Sequence, residues 1–450
     1  MFIFPLVYCS SFIYALKELI KNNKQGVLLF LIFGLPIYTT TLSVSFALGL
    51  GDTVKFFQSF KELIILALLG LSLWKLRTKP SFILIDYIFL AYFFYTLLYA
   101  ILPIGEYVLT ERLIAFKSTS FFVLVYFSGR FFDINEINIS KYFHYILLLA
   151  IAAAVLVVYE WTTQQHFQTL TGYSDYNYYF FNQEPSGNYN LTWTFETQTG
   201  LKRFASFFSD PLEHSASTLF AFSVLAALYT RDDNKLTFDS FGTIAFLATI
   251  LSIFLALSRA ALVSYFIIIY VYGIITKKKY ILHTFHLLFL MVLIYFLFLL
   301  KNRDIYDFVI DSITFQNASS IGHVLEWIAG IEAMISNPLG LGMGSSGKVS
   351  GSLGLNIGGE NQFIIIGVQA GIIALLFYLL IHLILISKSK KWISFLEGKE
   401  RKVAIALFLF KIGSIISLLT TNLESYIYIS YMSWFLSGLF VNVISKKASN

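Results

Sequence analysis

The chain has a single cysteine, Cys9, set in an apolar stretch. One thiol allows neither an intrachain disulfide nor a thiolate metal site, and it leaves the redox compartment unread. Charge is scarce too: Asp, Glu, Lys and Arg make up 13% of the 450 residues. Soluble domains carry about twice that share, so a water-soluble globular fold is excluded. Tandem repeats, low-complexity tracts and segments large enough for a soluble domain are missing as well. Apolar surface is what the chain has: 57% of residues are hydrophobic and 18% aromatic, with a mean hydropathy of +0.72. This is the composition of an all-α, polytopic integral membrane protein, one membrane domain over residues 1–450.

Apolar runs long enough to cross a bilayer begin near Gly26, Phe57, Phe82, Arg112, Tyr142 and Pro211. Six more begin near Phe241, Ala260, Ile281, Asn361, Val403 and Ser425. The pattern predicts roughly twelve spans of about 17–25 residues. A weaker thirteenth covers residues 1–20, which are too long, and lack the basic start, for a cleaved signal peptide. Lys and Arg collect in alternate connections: Lys17 to Lys24, Lys75 to Lys79, Arg130 with Lys141, Arg231 with Lys235, Lys277 to Lys279, Lys388 to Lys402, and Lys446 with Lys447. The positive-inside rule puts these connections and the C-terminus in the cytoplasm. That bias accounts for the net charge of +6 and implies no nucleic-acid partner. Two of the outward connections are long, 161–210 and 301–360.

The first outer loop crowds Tyr173, Tyr176, Tyr178, Tyr179, Phe180, Phe181, Tyr189 and Trp193 together. Such rings stack on sugars, and they equally anchor loops at lipid headgroups. The loop ends in LKRFASFFSDPLEHSAS. Ser209 or Asp210 suits an N-cap, Pro211 the first helical position, and Glu213 a capping box. A helix start leaves Lys202, Arg203 and His214 unexplained, on the side where positive charge is disfavoured.

In the second outer loop Ile321, Val324, Leu325, Ile328, Ile331 and Ile335 recur at helical spacing, predicting an amphipathic helix near 320–336. His323 and Glu326 fall off that stripe, three residues apart. They belong either to the solvated face of an interfacial helix or to a site. Asn337-Pro338 ends the helix. Gly342 to Lys348 imitates the start of a phosphate-binding loop, but Val349 replaces the required Ser or Thr and no strand precedes it.

Several charges escape the sidedness rule. Lys61 and Arg112 read as snorkelling residues near span ends, whereas Lys411 lies near mid-membrane, where a cation is costly. Arg203 and Arg259 both sit at the outer surface. Their forked donors suit a pyrophosphate.

Four segments, in order, resemble the O-antigen polymerase and ligase superfamily of bacterial envelope glycosyltransferases. KRFASFFSDPLEHSA is similar to its Arg-x-x-Gly-x-Phe-x-(Asp/Asn)-Pro segment, and LSRAAL to its Ser-Arg span. GHVLEWIAGIEAMISNPLGLGMG resembles its Gly-Arg…Trp…Pro-x-x-Gly-x-Gly helix, and ENQFIIIGVQAGIIAL its His-Asn-x-x-Leu…Glu-x-Gly span. The likeness lies mostly between Lys202 and Leu375. Three positions depart from it: His323 follows Gly322 where the family has Arg, Ala205 replaces a glycine, and Glu360 stands where ligases carry a histidine implicated in catalysis.

The resemblance implies a multi-pass enzyme of the bacterial inner membrane with its active site facing the periplasm. No nucleotide sugar or ATP is available there, so the donor must carry its own energy, as a polyprenyl-pyrophosphate-linked oligosaccharide does. Donor, acceptor and bilayer are the expected partners, with a chain-length regulator as a further one; no cofactor or metal is expected. Arg203 and Arg259 would hold the pyrophosphate, with Lys202, His214 and Arg303 as further substrate-binding candidates. Glu360 would act as base, with His323 as competing base or partner. The reaction would be an inverting polymerisation of repeat units. A ligase moving finished glycan to a lipid A core or protein stands as the alternative. A flippase is a second one, and it would place its ionisable groups nearer the midplane.

Overall fold

Among the described residues of the computed structural model, eight helices are long and apolar enough to cross a membrane: Ile3–Ile20, Lys24–Ala47, Gly51–Trp74, Leu84–Ile101, Ile139–Thr163, Gln362–Trp392, Gly398–Thr420 and Ile427–Lys447. The structure describes residues 1–75, 81–299, 307, 310, 318–347 and 357–449. Five further helices, Leu109–Arg130, Pro211–Tyr229, Ser240–Leu255, Arg259–Ile275 and Lys279–Leu299, occupy the other apolar runs. Among the described residues there is no strand, only isolated β-bridges. The fold is therefore all-α and polytopic, as the composition requires. Arg77, Lys79, Arg303, Lys348 and Val349 lie outside the described residues.

Burial sorts the helices by chemistry. Pro211–Tyr229, rich in Ser, Ala and Thr, is buried along nearly its whole length and packs against Gly398–Thr420. Small side chains let backbones approach where apolar burial gives no driving force between helices. Leu109–Arg130 and Ile427–Ser449 press together most closely. A Cβ on Gly438 would stand 2.0 Å from the Tyr126 carbonyl oxygen, and one on Gly129 would stand 2.1 Å from that of Phe435. By contrast, Lys279–Leu299 leaves apolar side chains exposed around its circumference, a surface suited to lipid.

The basic connections gather on one face. Lys24 pairs with Glu136 at 3.9 Å, Lys446 with Asp133 at 2.9 Å and Lys447 with Glu400 at 2.7 Å. Lys402 donates to Ser140 at 3.2 Å and Arg401 to the Arg231 carbonyl at 2.7 Å. These contacts join the connections at residues 24, 133–140, 231, 400–402 and 446–447 into a single surface.

Lys61 and Arg112 do not snorkel; both are buried. Lys61 donates to the Tyr38 hydroxyl at 3.0 Å and the Gln58 carbonyl at 2.7 Å, and it pairs with Glu62 at 3.0 Å. Glu62 also takes Lys117 at 3.2 Å. Arg112 turns its guanidinium onto the carbonyls of Ile101 and Leu102. It thereby closes the end of Leu84–Ile101, where carbonyls lack partners and a cation meets the negative end of the helix dipole. In both cases a nearby set of oxygen partners makes burial cheaper than reaching for water.

Candidate active site

The KRFASFF segment is held from beneath by buried polar side chains. Glu160, fully buried, accepts from the backbone N–H groups of Phe167 and Ser206, both at 2.8 Å. Gln168 donates to the carbonyls of Ser206 and Phe208, also at 2.8 Å, and Thr40 to that of Phe207 at 2.7 Å. A loop without regular secondary structure must find partners for its buried backbone groups; these three side chains supply some, and the carbonyls of Phe195 and Leu255 accept from Arg203 and Phe204.

Held this way, Lys202 and Arg203 point apart. Lys202 donates to the Gln164 carbonyl and lies 4.9 Å from the Tyr189 ring centroid. Arg203 turns inward, its Nε donating to the Ala256 carbonyl at 3.2 Å. Ala256 lies three residues before Arg259, so this bond ties the first outer loop to the LSRAAL segment. Burial lowers the affinity of the Arg203 guanidinium for its proton; Asp210, Tyr426 and Glu360 oppose that effect and Arg259 adds to it. Arg203, Arg259 and Glu360, distant in sequence, are therefore electrostatic neighbours.

Asp210 is the N-cap of Pro211–Tyr229, accepting from the N–H groups of Leu212 and Glu213, both at 2.8 Å. Glu213 reaches back one residue further than a standard capping box, accepting from the Ser209 N–H at 3.0 Å and its hydroxyl at 2.6 Å. The Tyr426 hydroxyl donates to Asp210. His214 instead lies behind the segment, 1% exposed, with Nδ1 3.1 Å from the Phe204 carbonyl.

Glu360 immediately precedes Asn361, the N-cap of Gln362–Trp392, which accepts from Phe363 at 3.0 Å and Ile364 at 3.2 Å. Glu360 is exposed at its surface, with Asp210, Glu326 and Arg203 as charged neighbours. Burial first, then the carboxylates of Asp210 and Glu326, push it up to about 7 against the pull of Arg203. Across from it, the helix Ala318–Ser336 turns Ile321, Leu325, Ile328, Ile331 and Ile335 outward. Its other side lies on the site: a Cβ on Gly359 would meet Glu326 Oε2 at 2.0 Å. His323 Nδ1 is 3.9 Å from that carboxylate oxygen. The helix thus combines an apolar outer stripe with a polar face over the cluster.

The glycine-rich NPLGLGMG turn that follows is stitched into a broken helix. Gln362–Trp392 contains Gly371 at φ 77°, ψ 177°, a conformation open essentially to glycine alone. The break frees the carbonyls of Val368 and Gln369, which accept from Leu341 at 2.8 Å and Gly342 at 3.1 Å. In return, the Ile372 N–H donates to the Pro338 carbonyl at 2.9 Å. The Gln369 side chain closes the seam, accepting from the Gly344 N–H at 3.1 Å and donating to the Ser346 carbonyl at 2.8 Å.

Three capped helix starts converge on this cluster: Asp210 caps Pro211–Tyr229, Ser258 caps Arg259–Ile275, and Asn361 caps Gln362–Trp392. Arg203 and Arg259 supply the positive charge of the region, as an anionic ligand requires, set among the carboxyls of Asp210, Glu326 and Glu360. Facing it are a carboxyl poised near neutrality and the Tyr426 phenol. Sequence reasoning missed Tyr426, and it took Asp210 for a cap alone. The signal for Tyr426 was present: TTNLESY is a polar interruption between two apolar runs on the side that carries Glu360.

Compared with known proteins, residues 244–379 match the family model described as O-antigen ligase. That stretch includes Arg259, His323, Glu326, the glycine-rich turn and Glu360. The match supports the O-antigen polymerase and ligase superfamily, and with it a membrane enzyme that transfers glycans. No curated protein matches the chain.

Proposed function

We propose that the chain is a polysaccharide polymerase of the bacterial inner membrane, joining polyprenyl-pyrophosphate-linked repeat units on the periplasmic face. The reading rests on one juxtaposition: Arg203 and Arg259 beside the Glu360 carboxyl. In the reaction an acceptor hydroxyl oxygen attacks the anomeric carbon of the donor. The bond from that carbon to the pyrophosphate oxygen breaks, and the configuration inverts. Glu360, half ionised near pH 7, takes the hydroxyl proton, since a base works best with its pKa near the operating pH. Arg203 and Arg259 stabilise the charge growing on the pyrophosphate leaving group. His323, 3.9 Å from Glu326, is the competing base or the partner of Glu360.

A ligase is the second reading, favoured by the description of the matching family. A carboxylate in place of the ligase histidine supports polymerase over it. Deleting the gene and running surface glycans on a gel separates the two. A glycan cut to one repeat unit supports polymerase, and full-length polymer stranded on its carrier lipid means ligase. Repeat units trapped on the inner leaflet would identify a flippase and remove the catalytic assignments.

A further inference from the structure

Below the site, the turn Leu423–Ser425 and Tyr426 stand on a buried polar cluster that the transfer chemistry does not use. Glu424 turns inward. Its carboxylate accepts from the Tyr378 hydroxyl at 2.7 Å, from the Ser430 hydroxyl, and from the Trp434 indole N–H at 2.9 Å. Lys411, 3% exposed, holds its ammonium 3.5 Å from the Trp434 ring centroid, and Glu424 is the opposing charge within its reach. An ionisable pair inside a membrane bundle is expensive, and its presence there calls for a role.

Two residues beyond Glu424 the chain turns the other way. Tyr426 donates to Asp210 and lies within electrostatic reach of Glu360 and Arg203. The Glu424 N–H donates to the Gln362 side chain at 3.3 Å, and Gln362 opens the helix that follows Glu360. One short turn therefore joins the buried cluster to two parts of the site.

We propose that Lys411 and Glu424 are positioning residues, whose cluster fixes the 423–426 turn and so sets Tyr426 and the start of the Gln362 helix against the Glu360 carboxylate. The inference rests on the transfer reaction proposed above for its kinetic test. That test uses the full-length protein in lipid nanodiscs, with repeat units on their polyprenyl carrier, extracted from the deletion strain, as probe. Lys411→Met and Glu424→Gln are expected to lower kcat roughly 10²-fold, the cost of a misplacement of about 1 Å, with KM little changed. Lys411→Arg, which keeps a cation over the indole, recovers most of that loss. A second readout needs no activity: the fluorine resonance of fluorotyrosine at position 426 shifts in Lys411→Met and returns in Lys411→Arg.

Unchanged kcat and an unmoved resonance in Lys411→Met and Glu424→Gln would overturn the proposal. So would an equal loss in Lys411→Arg that follows the yield of folded protein, since it would reduce the cluster to a stabilising role. If the wild-type protein consumes none of the probe, the transfer reading falls, and the fluorine shift alone then decides the coupling.

Discussion

At the level of single residues, Glu360 and Arg203 make the sharpest claims. Glu360→Gln removes the base and keeps the shape, so rescue of the deletion strain by this variant should leave the surface glycan at one repeat unit. Arg203→Ala should cut turnover by about 10²-fold, as loss of one oxyanion-type donor does, with the protein still present in the membrane. Normal chain lengths from either variant would remove that residue from the mechanism. The pH profile gives an independent check. A base held at about 7 is protonated below that value, so the rate should fall about tenfold per unit toward acid and level off above. Asp210→Asn keeps an N-cap of equal quality but removes a negative neighbour of Glu360. The acid limb should then move to lower pH, with thermal stability in detergent unchanged. Arg203 and Arg259 could be singled out in the sequence because each breaks the sidedness pattern, and Glu360 because it stands where the ligases of the resembled family carry a histidine. Tyr426 ends the polar interruption TTNLESY, but only contacts between distant segments single it out there.

At the level of helices, the start of Pro211–Tyr229 could be read directly, because capping is local chemistry: Asp210, Pro211 and Glu213 lie within four residues of one another. The break at Gly371 could not. A glycine inside an apolar run looks like any packing glycine until Pro338 and Leu339 are seen against it. Gly371→Ala places a Cβ 2.5 Å from the Leu339 carbonyl carbon and forces a backbone conformation costing on the order of 1–3 kcal/mol. A thermal shift in detergent should show that loss, and turnover should fall with it, because the seam also orders the Asn361-capped helix start. Gly70→Ala, whose Cβ would meet nothing within 4 Å, is the control and should be silent. The burial of Lys61 and Arg112 was equally hidden. A lysine near a span end reads the same whether its partners are water or Tyr38, Gln58 and Glu62.

For the molecule as a whole, span positions and the gathering of basic connections followed from hydropathy and charge alone, since the bilayer imposes both. How the spans pack did not follow, because Gly129 and Gly438 act through backbone approach, which hydropathy cannot register. The orientation can be tested directly. In a Cys9→Ser background, Trp193→Cys at the 70% exposed position should react with a membrane-impermeant maleimide on intact spheroplasts. Lys235→Cys should react only after permeabilisation; the reverse result would invert the molecule and place its site in the cytoplasm. The interrupted helix bears, finally, on membrane thickness. Its 31 residues, if straight, would run roughly 46 Å at the helical rise of 1.5 Å per residue, well beyond a hydrocarbon core of about 30 Å. The stretch from Gly371 to the first lysine after it, Lys388, covers roughly 24 Å. A single glycine thus divides the helix into a membrane-crossing stretch and an outer piece that stays with the site, and a straightened variant would have to tilt or thicken the surrounding lipid.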